Sequence, residues 1–182
     1  MRLINTTARY GWLVIVIHWL SFAVIAGLFA LGLWMVTLDY YHPWYRQGPD
    51  SHRSIGIVLM GVTVLRLALR WASPAPQPVA GVKPWEHGLA RCLHGLFYVL
   101  ILTLGISGYL ISTADGRAIL VFDWFAVPAV VTAIPRQEEV AGAAHEYLAY
   151  TLIGLALLHM LAALKHHFIH RDVTLRRMLG LR

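Results

Sequence analysis

The sequence predicts an all-α integral membrane protein, a bundle of four transmembrane helices. Three observations predict it. Of the 182 residues, 58% are hydrophobic and only 13% charged, and mean hydropathy is +0.62, outside the usual range of soluble domains. Four apolar stretches are each long enough to cross a hydrocarbon core of about 30 Å. The segments between them carry the Pro, Gly and charged residues that end membrane helices. The whole chain, 1–182, reads as a single membrane domain.

The first span is expected at about 10–36, YGWLVIVIHWLSFAVIAGLFALGLWMV, after a short polar lead. Its apolar run is longer than the roughly 7–15 residues of a signal-peptide core, and no small-x-small cleavage site follows, so it is expected to stay. His18 lies about two turns inside it. Trp12, Trp19 and Trp34 include candidates for the interfacial aromatic belts. Residues 37–51 read as a loop, broken by Pro43, Gly48 and Pro49, with aromatics that suggest an interfacial cap.

The second span is expected at about 52–71. It opens on His52 and carries Arg66 and Arg70 near its other end, where long cationic side chains can reach the interface or an anion. A Pro-rich connector follows at 72–85. The third span, about 86–112, has His87, Arg91 and His94 in its first turns, and Gly105 and Gly108 to permit close packing. Residues 113–140 form the longest loop. Its apolar middle, AILVFDWFAVPAVV, is broken by Asp123 and Pro128 and is expected to lie over the bundle as a cap. The fourth span, about 141–170, precedes a basic, amphipathic tail.

Orientation follows from the fifteen Lys and Arg residues. With both termini cytoplasmic, Arg2, Arg9, Arg66, Arg70, Lys83, Arg91, Lys165, Arg171, Arg176, Arg177 and Arg182 fall inside. Arg46, Arg53, Arg117 and Arg136 fall outside, a clear positive-inside bias. The net charge of +6 then reports cytoplasmic loops; no basic patch interleaved with aromatics points to nucleic acid. The single cysteine, Cys92, excludes an internal disulfide, a CxxC pair, a Cys-ligated iron–sulfur cluster and a CxxCH haem attachment.

The chemistry lies in the histidines. His145 and His159 are fourteen residues apart on the fourth span, so they share one face and sit about 21 Å apart along the axis. A lipid-buried helix has little reason to hold two imidazoles on one stripe unless something binds there. Running alternately across the membrane, the spans match His18 with His159 on the cytoplasmic side and His52 with His145 on the outer side. Two histidines from different helices at one depth suit the two axial positions of a haem iron. Zinc or copper sites recruit three or four ligands around a compact centre, and no third ligand is evident at either level. Gly27, Gly56, Gly61, Gly142 and Gly154 would leave room for a porphyrin. Against this stands a role for each histidine as an interhelical hydrogen-bonding residue.

Arg66, fourteen residues from His52, falls at the depth of the inner site and can pair with a haem propionate; Arg53 is its outer counterpart. His94, Arg91 and His166 or His167 lie at the inner interface. There they can supply hydrogen bonds to quinone carbonyls and a proton route.

These residues carry a family resemblance. The matching pieces are Ile17-His18-Trp19-Leu20, His52 before a second span ending Arg66-Leu67-Ala68-Leu69-Arg70, His94, and Trp124-Phe125-Ala126. They continue with Ala144-His145-Glu146, His159 with Lys165-His166-His167, and Arg171-Asp172-Val173-Thr174-Leu175. The chain resembles the bacterial cytochrome b561 family along essentially its whole length. The resemblance implies a four-helix cytochrome of the bacterial inner membrane with two haems b, the inner held by His18 and His159 and the outer by His52 and His145. The short free-standing members resemble superoxide oxidase, which implies electrons passing from periplasmic superoxide to ubiquinone. The outer face is acidic overall, with Asp39, Asp50, Asp115, Asp123, Glu138, Glu139 and Glu146. It leaves room for only a local cationic funnel at Arg46, Arg53 and Arg117. One alternative is therefore a cytochrome b that takes electrons from a periplasmic redox partner. Another, of a different class, is a histidine-based metal transporter without haem.

Overall fold

A computed structural model describes residues 3–132 and 134–181; Arg2 and Arg182, counted above with the cytoplasmic charges, lie outside the described residues. Four long helices are apolar and long enough to cross a membrane. Helix α1 (Trp12–Met35) begins where Gly11 is extended, and the side chain of Asn5 accepts the Gly11 N–H at 2.9 Å. Helix α2 (Gln47–Ala72) begins five residues before the expected start of the second span. Gly48 and Pro49, read from sequence as breakers, lie in its first turn, where a missing N–H leaves no hydrogen bond unmade. His52 therefore stands inside the helix rather than opening it.

Helix α3 (Pro84–Ser112) starts on a proline, and the Glu86 carboxylate accepts the Lys83 N–H at 3.1 Å. Helix α4 (Gln137–Lys165) also starts early, four residues before the expected span, after Arg136 in the left-handed region (φ 57°). It runs directly into a π-helical turn at His166–His170, so the fourth span covers 34 residues in two geometries. A short helix, α5 (Thr174–Met178), ends the described chain.

The loop after α3 holds a feature the sequence reading lacked, an antiparallel hairpin of β1 (Ile119–Val121) and β2 (Phe125–Val127). Its turn places Phe122 and Asp123 at φ 47° and 58°, and the Trp124 N–H bonds to the Val121 carbonyl at 2.9 Å. Such turns favour Gly and Asn; with Phe and Asp there, the residues did not announce it. Ser54 pins the hairpin to α2: its hydroxyl donates to the Leu120 carbonyl (3.3 Å) and accepts the Phe122 N–H (3.2 Å). The expected cap is thus a structured hairpin held on α2 near its N-terminal end.

Neighbouring helices pack as α1 on α2, α2 on α3 and α3 on α4. The buried centre is Leu59, Leu100, Ile101 and Leu152, flanked by Val24, Ile25, Leu28, Phe97, Leu104, Leu148 and Leu155. Apolar side chains such as Val16, Leu20, Val64, Val99 and Leu161 point outward. In lipid such a surface carries no hydrophobic penalty, so helix association rests on close packing and on polar contacts between helices. The histidines lie above and below this apolar centre.

Candidate functional site

At the level expected to be the outer one, four helices converge on two imidazoles. The rings of His52 (α2) and His145 (α4) have centroids 6.1 Å apart at 65°. Each ring lies against a glycine. A Cβ on Gly32 of α1 would stand 3.4 Å from His52 Cε1, and one on Gly108 of α3 would stand 3.3 Å from His145 Cε1. His145 Nδ1 lies 3.1 Å from the Leu104 carbonyl and 3.0 Å from Ser107 Oγ, both on α3. A carbonyl can only accept, so Nδ1 carries the proton and Nε2 keeps a free lone pair, the tautomer a metal needs. His52 Nδ1 is buried without a partner among the described residues.

At the inner level His94 (α3) and His159 (α4) have ring centroids 5.2 Å apart, with Phe97 against His159 at 5.7 Å. Arg66 reaches His18 from α2, its Nη2 donating to Nδ1 at 2.8 Å, and both Arg66 and Arg70 lie 5.9 Å over the Tyr98 ring. Arg66 is always protonated, so His18 Nδ1 is the acceptor here.

The chain matches the prokaryotic cytochrome b561 family over residues 9–181. It belongs to that family. It is 49% identical to Cytochrome b561 homolog 2 of Escherichia coli (strain K12), across 99% of this chain and 96% of that protein. It is 32% identical to the protein named Probable superoxide oxidase CybB of Yersinia pestis, across 94% and 96% of the two. Cytochrome b561 homolog 1 of E. coli is 25% identical across 94% and 97%. Membership makes this a multi-pass electron-transfer cytochrome and implies haem b. It leaves no support for the metal-transporter alternative.

The outer residues of this cytochrome b561 fit a haem. Two metal–imidazole bonds of about 2 Å each, with the ring radii added, set coaxial imidazole centroids about 6 Å apart. The 6.1 Å separation and the His145 tautomer meet that requirement. The inner residues supply the donor set in another arrangement. His159 packs on His94, and it shares no ring contact with His18 among the described residues. For His18 to offer Nε2 to a metal, Nδ1 must take the proton and Arg66 must turn to another acceptor, such as a propionate.

The remaining candidates fall in different places. Arg53, expected at an outer propionate, is paired with Asp50, and Arg117 with Asp115. Both pairs line a cleft of about 410 Å³ beside α2 and the hairpin, together with Ser54 and Asp123. The Arg117 side-chain hydrogen bond holds the Asp115 carboxyl below its ordinary range, so the pair stays ionised and self-compensated. The expected cationic funnel is therefore neutralised at two of its three arginines. Gly27, Gly56, Gly61, Gly142 and Gly154 all face open space.

On the inner side His94 and His166 share no hydrogen bond or ring contact among the described residues. His166 instead bonds through Nδ1 to Asp172 Oδ2 at 2.5 Å, and His167 Nδ1 is buried without a hydrogen-bond partner among the described residues. Arg91 is exposed. Sequence reading missed Gly32, Ser107 and Tyr98. A serine inside an apolar span, at the depth of His145, was the one signal that pointed to any of them.

Proposed function

We propose that this protein oxidises superoxide on the periplasmic side and reduces ubiquinone, holding two haems b in the inner membrane with both termini cytoplasmic. His52 and His145 would hold the outer haem, and His18 and His159 the inner. The His52–His145 ring pair, with His145 Nδ1 on the Leu104 carbonyl, supports the outer haem, and the 32% likeness to the protein named Probable superoxide oxidase CybB supports superoxide as the donor. Held by these imidazoles, haem b would supply one-electron relay chemistry. Leu104 and Ser107 fix the tautomer and orientation of His145, and a hydrogen-bonded imidazole is the more basic ligand.

On the cytoplasmic side His94, Arg91, His166 and His167 are the candidates to orient ubiquinone and pass it protons. His94 stands against His159, and His167 Nδ1 has no hydrogen-bond partner among the described residues, so these two lead. The orientation is supported by the concentration of Lys and Arg at the end of the bundle that holds both termini.

A second reading has a specific observation behind it. Arg53 and Arg117 are each neutralised by an aspartate, so the outer cleft holds no excess positive charge from them to draw in an anion. A periplasmic redox protein with a basic face would suit that surface better. Stopped-flow mixing of the purified, oxidised cytochrome with superoxide separates the two. Rapid haem reduction that is lost in His52→Ala supports superoxide as donor. Reduction no faster than in that variant rejects it and leaves the protein donor.

A further inference from the structure

Apart from the proposed haem sites, one cluster of metal-binding side chains is found among the described residues, at the expected cytoplasmic rim. Glu86 in the first turn of α3 and His166 and His170 of the π turn bring their ligand atoms within 4.8 Å of one another. His166 and His170 are four apart, the spacing that sets two imidazoles on one helical face at zinc sites. Their ring centroids are 4.9 Å apart. The π turn ends the fourth span, and Arg171 in the left-handed region follows it.

The surroundings orient the cluster. Asp172 Oδ2 accepts from His166 Nδ1 at 2.5 Å and leaves Nε2 for a metal, the carboxylate–histidine–metal arrangement. Asp172 is itself fixed, because Oδ1 accepts the Thr174 N–H at 2.8 Å. Glu86 is held by the Lys83 N–H at 3.1 Å and faces Lys165 at 3.7 Å. The Glu86, His166 and Asp172 side chains are only 13%, 14% and 13% exposed.

We propose that Glu86, His166 and His170 bind a divalent transition metal of the zinc class, with Asp172 as positioning residue, clamping the start of α3 to the end of the fourth span. Two imidazoles and one carboxylate select such an ion over magnesium or calcium, which take oxygen. Three protein ligands leave a fourth position for water. With bonds of about 2.0–2.1 Å, tetrahedral ligand atoms stand about 3.4 Å apart, so the cluster closes by up to about 1.4 Å on binding. Lys165 gives up its contact with Glu86 as the metal takes over that carboxylate. The site differs from the haem positions in depth, in ligand set and in having a carboxylate.

The test uses the haem-loaded, full-length cytochrome in detergent, purified without a histidine tag, and Zn²⁺ alone as probe. Titration against a chromogenic chelator should show one tight site per chain. Glu86→Gln and His170→Asn should each weaken it at least tenfold, and Asp172→Asn about 10–100-fold, with the haem spectrum unchanged. Zinc-edge X-ray absorption of the wild-type protein should show two imidazoles and light N/O ligands. This arm holds even if a variant fails to fold. Zinc uptake equal in all variants, a shell without imidazole, or no stoichiometric uptake by the wild type would each overturn the proposal.

Discussion

Two glycines back the outer imidazoles. Gly32 and Gly108 bring α1 and α3 against His52 and His145, where a Cβ would meet Cε1 at 3.4 and 3.3 Å, leaving little room beyond a methyl group. A leucine at 108 must displace His145, so Gly108→Leu is expected to halve the haem content while leaving the inner haem spectrum intact. Haem quantitation with low-temperature spectra checks this. Ser107→Ala is the milder change. The Leu104 carbonyl still holds His145 Nδ1, so haem content should stay whole, with stability lowered by about 0.5–1.5 kcal/mol. The four proposed ligands were legible in the sequence, because imidazole is conspicuous in an apolar span. Their glycine backing was less so, since glycine is common in membrane helices for other reasons and only helix contacts tell one from another. Arg66, expected at a haem propionate, donates to His18 in this structure. Removing that cation in Arg66→Gln disfavours the reduced, less positive state of the nearer haem. A redox titration should show one midpoint potential lowered and the other unmoved.

The fourth span is the element that both levels share. His145 and His159 keep one face only while fourteen residues separate them. Inserting two residues turns one against the other by about 200° and shifts it about 3 Å, which should cost one of the two haems. Helix identity was readable from hydropathy, but the ends were not. Pro49 in the first turn of α2 and the hairpin with Phe122 at positive φ both run against residue preference, and tertiary contacts outweigh it. The π turn had no sequence signature either. It feeds the C-terminal anchor, where Trp19 Nε1 donates to the Met178 carbonyl at 2.8 Å and Arg177 to the Gln77 carbonyl at 2.7 Å. Burial pushes the Asp172 carboxyl up, but hydrogen bonds from Thr174 and His166 outweigh it and hold the group below its ordinary range. A depressed carboxylate contributes stability above its unfolded pKa and loses it as pH falls through the folded one. The anchor should therefore hold at neutral pH and loosen in acid, below the ordinary carboxylate range. Hydrogen exchange of residues 171–181 against pH reads this directly, and Asp172→Asn should remove the dependence.

For the whole molecule, the antiparallel run of four spans puts an apolar centre between two levels of histidine. His52, His145, Gly32 and Ser107 meet above Leu59, Leu100, Ile101 and Leu152, and His18, Arg66, His94 and His159 meet below. That two-level arrangement followed from depth counting alone, since each helix rises a fixed distance per residue. Which inner histidine faces which did not follow, because it depends on helix rotation and on what Arg66 contacts. The central claim is that four histidines hold two haems, one at each level. Pyridine haemochromogen assay of purified protein, with protein measured independently, tests it most directly. Two haems b are expected per wild-type chain, and one in each of His52→Ala and His18→Ala, with different haems retained. A wild-type ratio of one, or a His52→Ala variant that still carries two, would contradict it.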